Sequence, residues 1–107
     1  MSDQKSLISN AFQTFMNEAP QHAQAWGGMV QGLAGASALD KKTSALAYLA
    51  VISALRLESG IPFHVQSAKG AGASREEVIS AVLIGLPAAG HVVTQVLPAA
   101  IAAYDLE

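Results

Sequence analysis

Cysteine is absent from this 107-residue chain, which removes disulfides, thiolate nucleophiles, zinc–thiolate sites and redox switching from the functions open to it. Charge is scarce as well. Only 13% of residues are charged, against an apolar share of 51%, and a typical soluble domain carries about twice that charge, roughly 25%. Self-association is the natural outlet for a surface with so little charge to cover it. The net charge of -2 comes from scattered acids and bases, so there is no basic stripe for phosphates and nucleic acid is not an expected partner. The N-terminal "MSDQKSLISNAF" lacks the basic, apolar and small-residue regions of a signal peptide, and a cytoplasmic location is the default expectation.

Long uninterrupted apolar runs are missing too. Ser44 to Leu55 is apolar nearly all round but spans 12 residues, too short for a bilayer and suited to a helix buried on every side. Val78 to Ala103 is longer but contains Pro87, Gly90, His91, Gln95 and Pro98, groups that are costly in hydrocarbon. It reads as two helices of a soluble core, with no membrane partner.

What is present is alanine-rich and helical, with no period-two alternation. One all-α domain spanning residues 1–107, of about six helices, is expected. The first, Asp3 to Glu18, aligns Leu7, Ile8, Phe12, Phe15 and Met16 and should pack inward by that stripe, with Pro20 stopping it. The second, Gln21 to Leu33, carries Trp26, Met29, Val30 and Leu33 and frays through "GLAGAS". Asp40 caps the third, Lys41 to Glu58, the expected centre of the fold. The chain breaks at Ser59-Gly60, restarts through Pro62 as a fourth helix to Lys69, and closes at Gly70 to Gly72. Ser74 and Glu77 form a capping box opening the fifth helix. Pro87 ends that helix and begins the sixth, which reaches Tyr104 with a kink at Pro98.

Candidate chemical groups are few: His22, Tyr48, Arg56, Glu58, Ser59, His64, Ser67, His91, Thr94 and Gln95. Neither His64 nor His91 has an acid three or four residues on, so no metal site is expected. Ser59, His64 and Glu58 lack the nucleophile elbow of a hydrolase triad. His64 follows a deliberate helix break between Phe63 and Val65. At a helix start the dipole disfavours its imidazolium and favours a neutral ring suited to proton exchange. The competing reading is a core histidine bonded to a backbone carbonyl. His91, one α-turn from both Pro87 and Gln95, reads as buried structure.

"GIPFHVQSAKGAGASREEV" and "IGLPAAGHVVTQVLPAA" together resemble the carboxymuconolactone decarboxylase-like family, which includes the alkylhydroperoxidase D proteins. The resemblance covers Leu39 to Ala103. It rests on the F-H-V turn, the G-A-S corner with its paired glutamates, and the P-A-A-x-H segment. It implies an all-helical fold assembling into homotrimers or homohexamers. The redox branch of that family carries C-x-x-C-x-x-x-H with an upstream glutamate. Those positions are Leu57, Gly60 and, near Ala45, the glutamate, so only His64 remains and thiol peroxidase chemistry is excluded. The decarboxylase branch matches at His64 and His91, but its acids four or five residues before the first histidine are replaced by Ser59 and Gly60, leaving Glu58 as the nearest. Three readings follow. The first is a thiol-free diverged small-molecule enzyme that uses His64 for proton transfer. The others are a non-catalytic oligomeric binding or scaffold protein and a lactone decarboxylase. The expected site comprises His64, His91 and Glu58, with Leu57, Gly60 and Phe63 lining a pocket for a small apolar or carboxylated ligand and no cofactor.

Overall fold

The helix boundaries are set by local hydrogen-bond chemistry, and a computed structural model of the chain, which describes residues 7–106, shows how. Among these residues there are seven α-helices, two 3₁₀ segments and no strand. Ser9 caps α1 (Asn10–Glu18), its hydroxyl accepting the Phe12 N–H. Residues 3–6 of the expected first helix lie outside the described residues. Pro20 takes a first-turn position of α2, which runs from Pro20 to Ala36. The glycines of "GLAGAS" stay helical to Ala36 rather than fraying at Leu33.

Asp40 caps α3 (Lys41–Ala54) by accepting the Thr43 N–H at 2.7 Å, and that bond holds its carboxyl below the usual carboxylate range. The helix ends four residues earlier than the sequence suggests. The Leu57 N–H donates to the Ile52 carbonyl and the Arg56 N–H to Ser53, a Schellman closure that requires a left-handed residue. Arg56 takes it, at φ 60°. A 3₁₀ turn, Glu58–Gly60, leads into α4 (Ile61–Gly70). The same closure recurs at Gly72, φ 101°, where the Ala73 N–H reaches the Ala68 carbonyl.

Ser74 and Glu77 exchange both bonds of the capping box at the start of α5 (Arg75–Leu83). The expected sixth helix is three pieces: α6 (Leu86–Ala89), a 3₁₀ segment (Gly90–Val96) and α7 (Leu97–Tyr104). Gly90 at φ 79° breaks the first junction. Pro98 starts α7 at a position where its missing N–H costs nothing, instead of kinking a continuous helix.

Leu49 and Ile52 of α3, Ile61, Val65 and Ala68 of α4, and Val78 and Val82 of α5 form one contiguous core with Val96, Ala100 and Ala103. The α7 terminus is latched onto it. The Tyr104 hydroxyl donates to the Ala73 carbonyl at 2.8 Å, Lys69 Nζ donates to the Tyr104 carbonyl at 2.7 Å, and Arg75 binds both Asp105 carboxylate oxygens. The run Arg75–Tyr104 has the length and composition of a membrane crossing, but it is broken twice and supplies much of this core.

Two expectations fail on packing. The Lys41–Ala54 helix is not buried on every side, because only Leu49, Ile52 and Ser53 are covered while Tyr48 and Val51 are about half exposed. Nor does the first helix pack inward. Phe12 and Phe15 turn edge-on to Trp26 of α2, with Phe12 and Trp26 centroids 5.2 Å apart. Neither α1 nor α2 contains a buried residue, and together they form a hairpin that packs chiefly on itself.

Candidate active site

His64 occupies the first turn of α4 because the Schellman turn at Arg56 and the 3₁₀ turn of Glu58–Gly60 redirect the chain there. Val65 and Ala68 on the same helix are fully buried. They anchor α4 while His64, one residue before Val65, lies half-buried at the rim. Two rings enclose it. Tyr48 of α3 lies with its centroid 4.6 Å from the imidazole at a tilt of 50°, and Phe63 stands edge-on at 5.2 Å. No side-chain hydrogen bond to His64 is present among the described residues, so the core-histidine reading, which needs a backbone carbonyl partner, is not the arrangement found. Burial pushes its pKa down. The sequence argument expected that direction from the helix dipole, whereas the physical cause is desolvation.

Gly60 is the residue of the break that faces this ring. A Cβ at position 60 would stand 3.7 Å from His64 Cδ2, in ordinary van der Waals contact. The Gly60 N–H also donates to the Leu57 carbonyl at 3.1 Å, so positions 57 and 60 are bridged by one 3₁₀ turn beneath the histidine. Leu57 and Phe63 are both exposed, at 50% and 39%.

Glu58 is exposed at the start of the 3₁₀ turn, and Ser59 beside it is exposed too. His91 corrects the sequence reading: it is exposed rather than buried. Gly90–Val96 is a 3₁₀ segment with three residues per turn, so Val93 and Val96 point into the core and the α-helical alignment of Pro87, His91 and Gln95 is lost. Its carbonyl accepts the Thr94 hydroxyl at 2.7 Å, and no ring contact or hydrogen bond among the described residues joins it to His64. His22 lies exposed on α2 and Ser67 exposed on α4. No cluster of metal-ligating side chains occurs among the described residues.

Tyr48, whose ring lies 4.6 Å from that of His64, is the neighbour that sequence reasoning named only in passing. Its signal was available: it is the one aromatic in the apolar third helix, with the other tyrosine, Tyr104, far along the chain. A second feature carried no motif at all. Leu46, Ala47 and Ala50 of α3, Ser80 and Ala81 of α5 and Ile84 just after it line an open, mostly apolar groove of about 450 Å³ on another part of the α3 surface, with Thr43, Glu76 and Glu77 completing the lining.

Comparison with known proteins agrees with the resemblance. The chain is similar over 97% of its length to a solved apo structure of a carboxymuconolactone decarboxylase family protein from Legionella pneumophila, at 27% identity and a TM-score of 0.78, with 96% of that chain covered. No curated protein sequence matches significantly. The family model for carboxymuconolactone decarboxylases matches residues 20–102, most of the chain and all of the break, histidine and capping-box region. By that match and by its fold, this cysteine-free chain belongs to the carboxymuconolactone decarboxylase family.

Proposed function

We propose that the chain is a thiol-free small-molecule enzyme of this family in which His64 takes a proton from its substrate and returns it. One observation carries the reading: a half-buried imidazole set against Tyr48 and Phe63 with no protein hydrogen bond of its own. Desolvation favours the neutral ring at neutral pH, the form that acts as a general base. The apolar rim of Leu57, Gly60 and Phe63 suits a small apolar or carboxylated molecule, a lactone among them, in a homotrimer or homohexamer in the cytoplasm.

His64→Ala tests this. It should leave fold and assembly intact while abolishing turnover of carboxylated lactones, with His64→Gln no better. Equal turnover by the wild type and both variants would refute it. The exposure of His91 and Glu58, neither joined to His64 by a ring contact or hydrogen bond among the described residues, favours a second reading, a non-catalytic binding protein. That reading predicts ligand binding lost in His64→Ala with no turnover in the wild type.

A further inference from the structure

We propose that the N-terminal α1–α2 hairpin is an exchange arm, the apolar stripe of α2 seating in the α3/α5 groove of a second copy of the chain. This rests on the self-association reading above and assigns the surfaces. The donor is a helix with nothing to cover it: Met29, Val30 and Leu33 are 53%, 39% and 64% exposed, although they continue the Trp26 stripe at helical spacing. From Ala19 to Leu39 there is no Asp, Glu, Lys or Arg, so this exposed helix has no charged face to present to water. Its glycines at 27, 28, 32 and 35 have nothing within 4 Å of an added Cβ, which leaves room for close approach by another element.

The acceptor has the complementary relief. Its floor is small, formed by Ala47, Ala50, Ser80 and Ala81, and its walls are Leu46 and Ile84, the latter 70% exposed. Large side chains at i, i+3, i+4 and i+7 on a helix are the knobs that such a groove accepts. Of the two carboxylates lining the groove, Glu77 is paired with Lys42 at 2.9 Å and Glu76 is exposed to water, and α2 brings no Asp or Glu to oppose either.

The chain's own α2 is held off this groove. The Ser37 hydroxyl accepts the Leu39 N–H and Asp40 caps α3, which fixes the short connector, and α2 makes no extended contact with α3. Area points the same way. The chain exposes 7016 Å² where a compact monomer of 11.0 kDa exposes about 5,600 Å². The surplus exceeds the ~800 Å² that one partner gives to a standard interface. A lipid surface is the poorer fit, since α2 has no Lys or Arg for a headgroup face.

The absence of cysteine makes the test clean. Chains carrying Met29→Cys or Leu33→Cys are mixed with differently tagged chains carrying Ala47→Cys or Ile84→Cys, oxidised, and run without reductant. A covalent heterodimer at least tenfold above that formed with an exposed Ser67→Cys control supports the proposal. So does a drop to monomer by light scattering in Leu33→Glu or Ala47→Glu with helical content unchanged. An oligomer that shows no such cross-link overturns the arm while sparing self-association. A monomeric wild type overturns both. An intrachain disulfide in Leu33→Cys/Ala47→Cys, or wild-type binding to phosphatidylcholine vesicles that Leu33→Glu abolishes, assigns the stripe to another occupant and also overturns the proposal.

Discussion

Arg56 offers a substitution whose expected effect is a gain. It holds φ 60°, a region that costs an L-residue about 1–2 kcal/mol. Its side chain forms no hydrogen bond or ion pair among the described residues and is exposed, so nothing in the fold offsets that strain locally. Arg56→Gly removes the strain but loosens the unfolded chain, a cost of about 0.4–1 kcal/mol. The net is a stabilisation of about 0.5–1 kcal/mol, or roughly 2–6 °C in Tm for a chain of this size. Thermal unfolding followed by circular dichroism, at matched protein concentration because assembly shifts Tm, reads it directly. An unchanged or lowered Tm would refute the reasoning and show that the guanidinium makes a contact worth more than the strain. A lactone turnover unchanged in the same variant would further show that the Schellman backbone, not the Arg56 side chain, sets the direction of α4.

The core supports two opposite outcomes a few residues apart. Leu49, fully buried, should cost about 2–5 kcal/mol on change to Ala in denaturant titration. Ser53, equally buried with an unpartnered Oγ, should gain up to about 1 kcal/mol on change to Ala, since an unsatisfied hydroxyl costs ~1–3 kcal/mol; a loss there would reveal a bond to the α3 backbone. Leu57→Cys with Gly60→Cys should form a disulfide across the 3₁₀ turn, read by mass spectrometry, and two persistently free thiols would contradict the geometry. Stability should also carry a histidine signature. The folded His64 pKa lies below its unfolded value, so the unfolded state takes up a proton first as the solution is acidified. The contribution is therefore complete above about pH 6.5 and is lost as pH falls toward the folded value. His64→Gln should flatten that part of the stability–pH curve.

Residues whose structure is decided by neighbours in sequence were legible. Asp40, Ser74 with Glu77, and Pro62 at a first-turn position each set a boundary within a few residues, and each does so here; Pro20, read only as the stop of the first helix, also opens the second. Where composition suggested helix but backbone closure decided otherwise, the reading slipped. Nothing in "ALRLESG" announces that an arginine will take the left-handed position, so α3 was read four residues too long. Gly90 split a helix whose apolar pattern was otherwise continuous, and with it went the alignment of Pro87, His91 and Gln95 that made His91 read as buried. The partnership of Tyr48 with His64 depends on how α3 crosses α4, a long-range quantity that no spacing encodes. The open α3/α5 groove escaped for the same reason, as did the self-packed hairpin, whose stripe looked like any inward-facing one.

The central claim is that His64 is a neutral, reachable imidazole rather than a sealed core histidine. Its ¹⁵N and ¹H ring signals, followed by NMR from pH 4 to 9 in the wild type and in Tyr48→Ala, test that claim most directly. The account predicts a titration below the ordinary imidazole range, solvent-exchangeable ring protons, and a pKa that rises when the Tyr48 ring and its desolvation are removed. A His64 that does not titrate, with both nitrogens hydrogen-bonded and no response to Tyr48→Ala, would contradict it.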